Sequence, residues 1–155
     1  MKKLILLNFV AFLLMWMACA AETEANRTQG ASTMEITIHI TSETGEYSLT
    51  ATLYDNSSSR ALFELLQKGD VTIDMSDYGN FEKVGDLPVT LPRNDTPTDT
   101  DSGDIILYQG KRFVIYYDKN SWNFTPLGKV QGVSKAELKN ILGKGNVKAT
   151  LSIGE

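Results

Sequence analysis

The chain has 155 residues, with 15 Lys and Arg against 19 Asp and Glu for a net charge of −4, one cysteine and one histidine. That length points to one domain, and an apolar fraction of 42% suffices for a core. The counts exclude an intrachain disulfide and a Cys/His zinc site, and an acidic balance without a Lys/Arg cluster speaks against nucleic acid as a partner.

The first segment reads as an address. Lys2 and Lys3 precede an apolar run from Leu4 to Met17, broken only by Asn8, which ends at Ala18-Cys19-Ala20-Ala21. This is the layout of a secretory signal peptide, expected over residues 1–18. The run is short for a transmembrane helix, which needs about 20 apolar residues. Two cleavage readings compete. Ala18-Cys19-Ala20 fits the A-x-A pattern of ordinary signal peptidase, which would release a secreted or periplasmic protein. Ala18-Cys19 also resembles the end of a bacterial lipobox, although Trp16 stands where Leu is usual. The chain's one cysteine lies at this junction, which favours lipidation of Cys19 and a membrane-anchored lipoprotein of the bacterial cell envelope. Residues 19–33 then form the anchor and a polar flexible tether, and residues 34–155 the domain. Loss of residues 1–18 removes two lysines and no acid, which takes the net charge from −4 to −6.

Met34 to Ile40 alternates apolar and polar, the pattern of a half-buried strand. Ser42-Glu43-Thr44-Gly45 is a turn, and Tyr47, Leu49, Ala51 and Leu53 alternate in a second strand. Asn56 or Ser57 caps a helix with Ala61, Leu62, Leu65 and Leu66 on its apolar face, stopped by Gly69. Val71, Ile73 and Met75 form a third strand. Asp77 to Leu91 reads as short extended pieces between turns, and Pro92 to Gly103 as a surface loop. Ile105–Tyr108 and Phe113–Tyr117 flank a turn at Gln109–Arg112. These two strands are apolar on both faces, so one face is expected in the core and the other under a helix or lid. Ser134 with Glu137 is a capping box for a second helix, with Ala136, Leu138, Ile141 and Leu142 on its apolar face and Gly143 at its end. Val147, Ala149, Leu151 and Ile153 make the last strand. Two short helices among about eight strands imply a mainly β barrel or sandwich with helical plugs.

The order of pieces carries a resemblance. It runs from Ala51–Asn56 into Arg60-Ala61-Leu62, then Met75 to Lys83, Leu87-Pro88, Gly103-Asp104-Ile105 with Leu107-Tyr108, and Leu127 to Val130. From about Met34 to Ile153 the chain resembles the bacterial cyclophilin-like domain family. The resemblance implies a closed barrel of about eight strands with helices at its ends, and no defined reaction. True cyclophilins isomerise prolyl amides against a barrier of about 20 kcal/mol. Their signature places Phe-His-Arg on one strand and Gln-Gly-Gly-Asp-Phe nearby. Here His39 is not followed by arginine, and Gln109-Gly110 is followed by Lys111-Arg112. The isomerase residues therefore do not carry over, and no catalytic residue is assigned. Arg112, with Val114 and Tyr116 on its strand face, is the arginine best placed to act on a prolyl amide.

Other chemistries lack their parts. There is no Gly-x-Ser-x-Gly, and His39 belongs to the polar face of the first strand. Asp99-x-Asp101-x-Gly103-Asp104 lacks the distal bidentate acid of a calcium loop, so no metal and no cofactor are expected. Asp77 and Glu82 could form a carboxylate pair, but read more simply as surface charges. Asn56 lies in a glycosylation sequon and reads instead as a helix cap. The aromatic residues Tyr78, Phe81, Tyr116, Tyr117, Trp122 and Phe124 gather in the middle and late chain, with Trp122 expected in a loop. They serve either core packing or an aromatic cleft at the barrel rim. The ligand-contact candidates are Tyr78, Phe81, Glu82, Arg112, Tyr116 and Trp122. The expected role is an envelope-anchored binding domain for a peptide or small apolar ligand. A divergent prolyl isomerase and a structural partner in an envelope complex are the alternatives.

Overall fold

A computed structural model describes residues 33–154. The expected signal peptide, Cys19 and the tether as far as residue 32 lie outside the described residues. The domain consists of β1 (Glu35–Ser42), β2 (Gly45–Leu53), α1 (Ser57–Leu66), β3 (Val71–Tyr78), β4 (Glu82–Asp86), β5 (Thr96–Thr100), β6 (Asp104–Tyr108), β7 (Arg112–Tyr116), β8 (Asn120–Val130), α2 (Lys135–Leu142) and β9 (Val147–Ile153).

Strand neighbours run β2-β1-β9-β3-β4-β7-β6-β8, and β8 pairs back onto β2. Eight antiparallel strands thus close a ring, with β5 attached outside it to β8. The alternation read in the sequence is what fills the interior. Ile36, Ile38 and Ile40 of β1, Leu49, Ala51 and Leu53 of β2, and Val71, Ile73 and Met75 of β3 are all buried in one core. That core extends from Ile36 to Leu151, so the ring and its filling form a self-contained folding unit.

Closure depends on one irregularity. Ile105 pairs with Gly128 but Ile106 pairs with Pro126, so Leu127 is an extra residue on β8. At the bulge the buried Leu127 carbonyl accepts from the Tyr54 amide at 2.9 Å and the Ser59 hydroxyl at 2.8 Å. Next to it, a Cβ on Gly128 would lie 2.3 Å from the Thr52 carbonyl oxygen, so only glycine lets β8 meet β2 this closely.

The helices plug opposite ends. Asn56 caps α1 by accepting from the Ser59 amide at 2.9 Å, and its side-chain amide donates to the Pro126 carbonyl at 2.8 Å. Leu62 and Leu66 of α1 enter the core, while Ala61 and Leu65 are only partly covered. Ser134 accepts from the Glu137 amide to start α2, and Leu138, Ile141 and Leu142 enter the core at the end that holds the β1–β2 turn. Ala136, expected on that apolar face, is exposed, because the short helix presents only its C-terminal half to the ring.

Two further expectations change. Thr96–Thr100, expected as loop, is a strand paired with Asn120–Phe124. This places Trp122 on a strand and not in a loop. Neither segment has an apolar period, since the pairing is made by backbone groups and both lie largely in solvent. Pro97 is accommodated because β5 pairs on one side alone. The N-terminal half of β8 thus leaves the ring and, with β5, forms a two-stranded ribbon beside the outer surface.

Candidate functional site

β6 and β7 carry two sets of side chains. Ile105, Leu107, Phe113, Ile115 and Tyr117 face the interior. Ile106, Val114 and Tyr116, with Phe124 of β8, form a second buried cluster on the outer face. Neither helix covers that outer face. It is the floor of a cleft of roughly 320 Å³ between the sheet and the ribbon. The cleft therefore lies on the outside of the ring and not at its rim.

Two tight turns bring residues to its edge. In the β3–β4 connection Gly79 (φ 61°) and Asn80 (φ 59°) are both left-handed, and in the β6–β7 connection so are Gln109 (φ 53°) and Gly110 (φ 74°). The first turn sets Tyr78 opposite Glu82, and the second sets Tyr108 opposite Arg112. Period-two geometry then points Glu82 and Val84 of β4, and Arg112, Val114 and Tyr116 of β7, into the cleft. Trp122 and Phe124 of β8 complete it from the ribbon.

Of the six candidates named from sequence, Tyr78, Glu82, Arg112, Tyr116 and Trp122 line this one cleft. Phe81 stands behind its wall, stacked parallel on Tyr116 at 6.2 Å and edge-on to Tyr78 at 5.8 Å. Val84, Tyr108, Val114, Asn120 and Phe124 also line it. For Tyr108 and Val114 the signal was the double-faced apolar pattern, whose alternate residues Ile106, Tyr108, Arg112, Val114 and Tyr116 share one face. Tyr78 and Trp122 are 63% and 64% exposed, an unusual state for large rings flanking a recess.

Glu82 is the polar centre of the floor. It is 8% exposed, and its Oε2 has no hydrogen-bond partner among the described residues. The surface-charge reading of this residue is therefore wrong. Burial pushes its carboxyl above the ordinary range, the Tyr116 hydroxyl offsets part of this, and the Asp77 charge adds to it. Burial beside Glu82 likewise pushes the Tyr116 phenol up. Asn120 Nδ2 donates to the Tyr116 hydroxyl at 3.3 Å. Arg112 lies four strand positions away, 3.8 Å from Asp86 and over the Tyr108 ring at 5.9 Å.

Asp77 is turned to the other face. Lys83, fully buried, donates to Asp77 Oδ1 at 2.8 Å and to the Gly145 carbonyl at 2.7 Å, and the Tyr117 hydroxyl donates to the same carboxylate oxygen. Burial raises the Asp77 pKa, but these two hydrogen bonds and the Lys83 charge outweigh it and hold it below the ordinary value. Asp77 and Glu82 are thus not a working pair, since each serves a different side of the sheet. His39 sits exposed on β1 with Ser48 Oγ 3.3 Å from its Nδ1. Among the described residues no cluster of three or more His, Cys, Asp or Glu could hold a metal, and no helix is long and apolar enough to cross a membrane.

The profile of the Cyclophilin-like family matches residues 42–152. The chain belongs to the Cyclophilin-like family. The match takes in all but the first strand of this cyclophilin-like ring, and so includes every residue of the cleft. No curated protein matches the chain. Among solved structures the domain is similar to the hypothetical protein AF2241 from Archaeoglobus fulgidus. The two share 13% identity with a TM-score of 0.53, over 81% of this chain and 99% of that one. At that identity the likeness concerns the fold, and the chemistry of the cyclophilin-like cleft has to be argued from its own residues.

Proposed function

We propose that the chain is a cyclophilin-like binding domain whose outer cleft holds a small ring-bearing ligand or a short peptide segment. The observation that carries this reading is the recess itself, in which a buried acid with one oxygen unpartnered lies under exposed rings. A folded protein gains nothing from leaving Tyr78 and Trp122 in water or Glu82 Oε2 unpaired, whereas a ligand satisfies both. The domain is held at the bacterial cell envelope through a lipid on Cys19, a reading supported by the leader's layout and the place of the chain's one cysteine. Cys19→Ala is expected to move the protein from the membrane to the soluble fraction, and unchanged partitioning removes the anchor.

The binding reading is tested on the chain lacking residues 1–32, which retains the whole ring and in which Trp122 is the sole tryptophan. A melting-shift screen of aromatic and peptide ligands should give hits that also change Trp122 fluorescence, since binding to the folded state raises its melting temperature. Hits that leave Trp122 fluorescence unaffected, or whose affinity is unchanged in Trp122→Ala, place binding elsewhere.

One observation favours a second reading. Arg112 lies at the edge of a cleft floored by Val84, Val114 and Phe124, as a prolyl isomerase would need. A proline-peptide isomerisation assay decides it: a rate at the buffer background, unchanged in Arg112→Ala, leaves binding alone.

A further inference from the structure

Glu82 presents a chemical demand that the described residues meet only in part: the Tyr116 hydroxyl serves the carboxyl, but Oε2 has no partner. A buried carboxylate is stabilised by a cation or by N–H and O–H donors, and nearly all such groups in folded proteins have them. The neighbouring cations are committed elsewhere. Lys83 points to the opposite face and is held by Asp77 and the Gly145 carbonyl. Arg112 is opposite Asp86, four residues along β4 from Glu82, a displacement of roughly 13 Å at the usual strand rise. The remaining lining points the same way. Tyr78, Tyr108, Tyr116, Trp122 and Phe124 surround the recess, and aromatic faces carry the negative lobe of the ring quadrupole. An acid amid aromatic rings, with Val84 and Val114 in the same lining, is complementary to positive charge borne on an apolar body.

We infer, building on the binding reading above, that the cleft selects ligands carrying a protonated amine next to an aromatic ring or alkyl chain, with the ammonium donating to Glu82 Oε2. The apolar body lies against Val84, Val114 and Phe124, and Trp122 closes over it from the ribbon. A primary, secondary or tertiary ammonium satisfies the acid directly. A quaternary ammonium has no N–H and gains only the aromatic part. The amine belongs either to a free small molecule or to a lysine side chain of a peptide, and the two share this chemistry.

The probes are benzylamine, its uncharged counterpart benzyl alcohol, and lysine blocked at both its backbone amine and carboxyl, each titrated into the chain lacking residues 1–32 by Trp122 fluorescence and calorimetry. Benzylammonium is expected to bind at least about tenfold more tightly than benzyl alcohol, a difference of about 1.4 kcal/mol. Glu82→Gln should abolish that preference, chiefly by weakening benzylammonium. Trp122→Ala, an exposed position whose loss does not threaten folding, should weaken both aromatic probes and keep the preference. Binding of blocked lysine with the same dependence on Glu82 assigns the peptide source, and its failure beside benzylammonium assigns the free amine. Equal affinity for the charged and neutral probes, or a preference that survives Glu82→Gln, overturns the inference and leaves the binding reading intact. Failure of every probe also overturns it, and the binding reading then stands or falls on the wider melting-shift screen.

Discussion

At the scale of single residues, β4 places two ionisable side chains side by side and treats them oppositely. Lys83 is fully enclosed, yet each direction it faces holds a partner: Asp77, the Gly145 carbonyl and the Tyr117 ring at 5.6 Å. Removing the cation leaves Asp77 without it, so Lys83→Ala should lose about 3 kcal/mol in urea unfolding, the lower part of the usual range because Asp77 keeps some contact with water. Asp77→Asn should cost less, since Lys83 retains the carbonyl. Equal losses would mean that the pair is not the unit that matters. Glu82 has the Tyr116 hydroxyl alone and leaves Oε2 without a partner. Because its folded-state pKa is raised above the unfolded value, the folded form holds its proton longer. That contribution is present below the ordinary glutamate pKa and is lost as pH rises through the folded-state value. Glu82→Gln is therefore expected to raise the melting temperature at neutral pH by several degrees, for a gain of about 1 kcal/mol, and to do nothing at pH 4. A variant no more stable at pH 7 than at pH 4, each relative to the parent, would show that Glu82 is not strained by burial. Nothing in the sequence marks Glu82 as buried, because acids in alternating strands normally face water. Its burial follows from the register that sets it opposite Tyr116.

Among elements, the two left-handed turns have most influence on the cleft. A Cβ on Gly79 would lie 2.1 Å from the Phe81 ring, so the ring rests directly on that glycine. Gly79→Ala should cost about 1–2 kcal/mol for the left-handed backbone and shift Phe81 off Tyr116. The resonances of Tyr116 should move with it in NMR spectra, while an unmoved Tyr116 would detach the turn from the site. The helices and most strands were legible in the sequence because their signals are local: Asn56 and Ser134 as caps, and the isoleucines of β1 at period two. The ribbon was not. Asn120, Ser121 and Asn123 resemble loop residues, and Thr96–Thr100 has no apolar member apart from Pro97. What makes both segments strands is their mutual backbone pairing, a long-range fact that no single window contains. Trp122 was named as a contact candidate for its side chain, while its position on a strand came from the ribbon.

For the whole molecule, double-faced strands and helical plugs left barrel and sandwich open, and the closed ring was anticipated from the family resemblance; the position of the cleft outside it was not, because apolar residues on two faces do not reveal which face stays open. Closure is the most sensitive global feature. At Gly128 an added methyl group would press on backbone atoms of Thr52 and Leu53, which cannot yield without unpairing β2 from β8. Gly128→Ala should therefore cost about 3 kcal/mol and speed hydrogen exchange along β2, whereas Gly132→Ala, with open space around its Cβ, should cost about 1 kcal/mol. Similar losses for the two would mean that closure is not what Gly128 secures. The ribbon has the opposite character. Its strand β5 exposes every residue except Thr98 and Thr100, and supplies nothing to the main core. The cleft therefore joins a fixed wall of ring strands, which carries Glu82, to a ribbon wall that the main core does not depend on. The ribbon can lengthen, shorten or change its side chains under selection for a new ligand without a compensating change in the barrel, which makes it the natural place to retarget this scaffold.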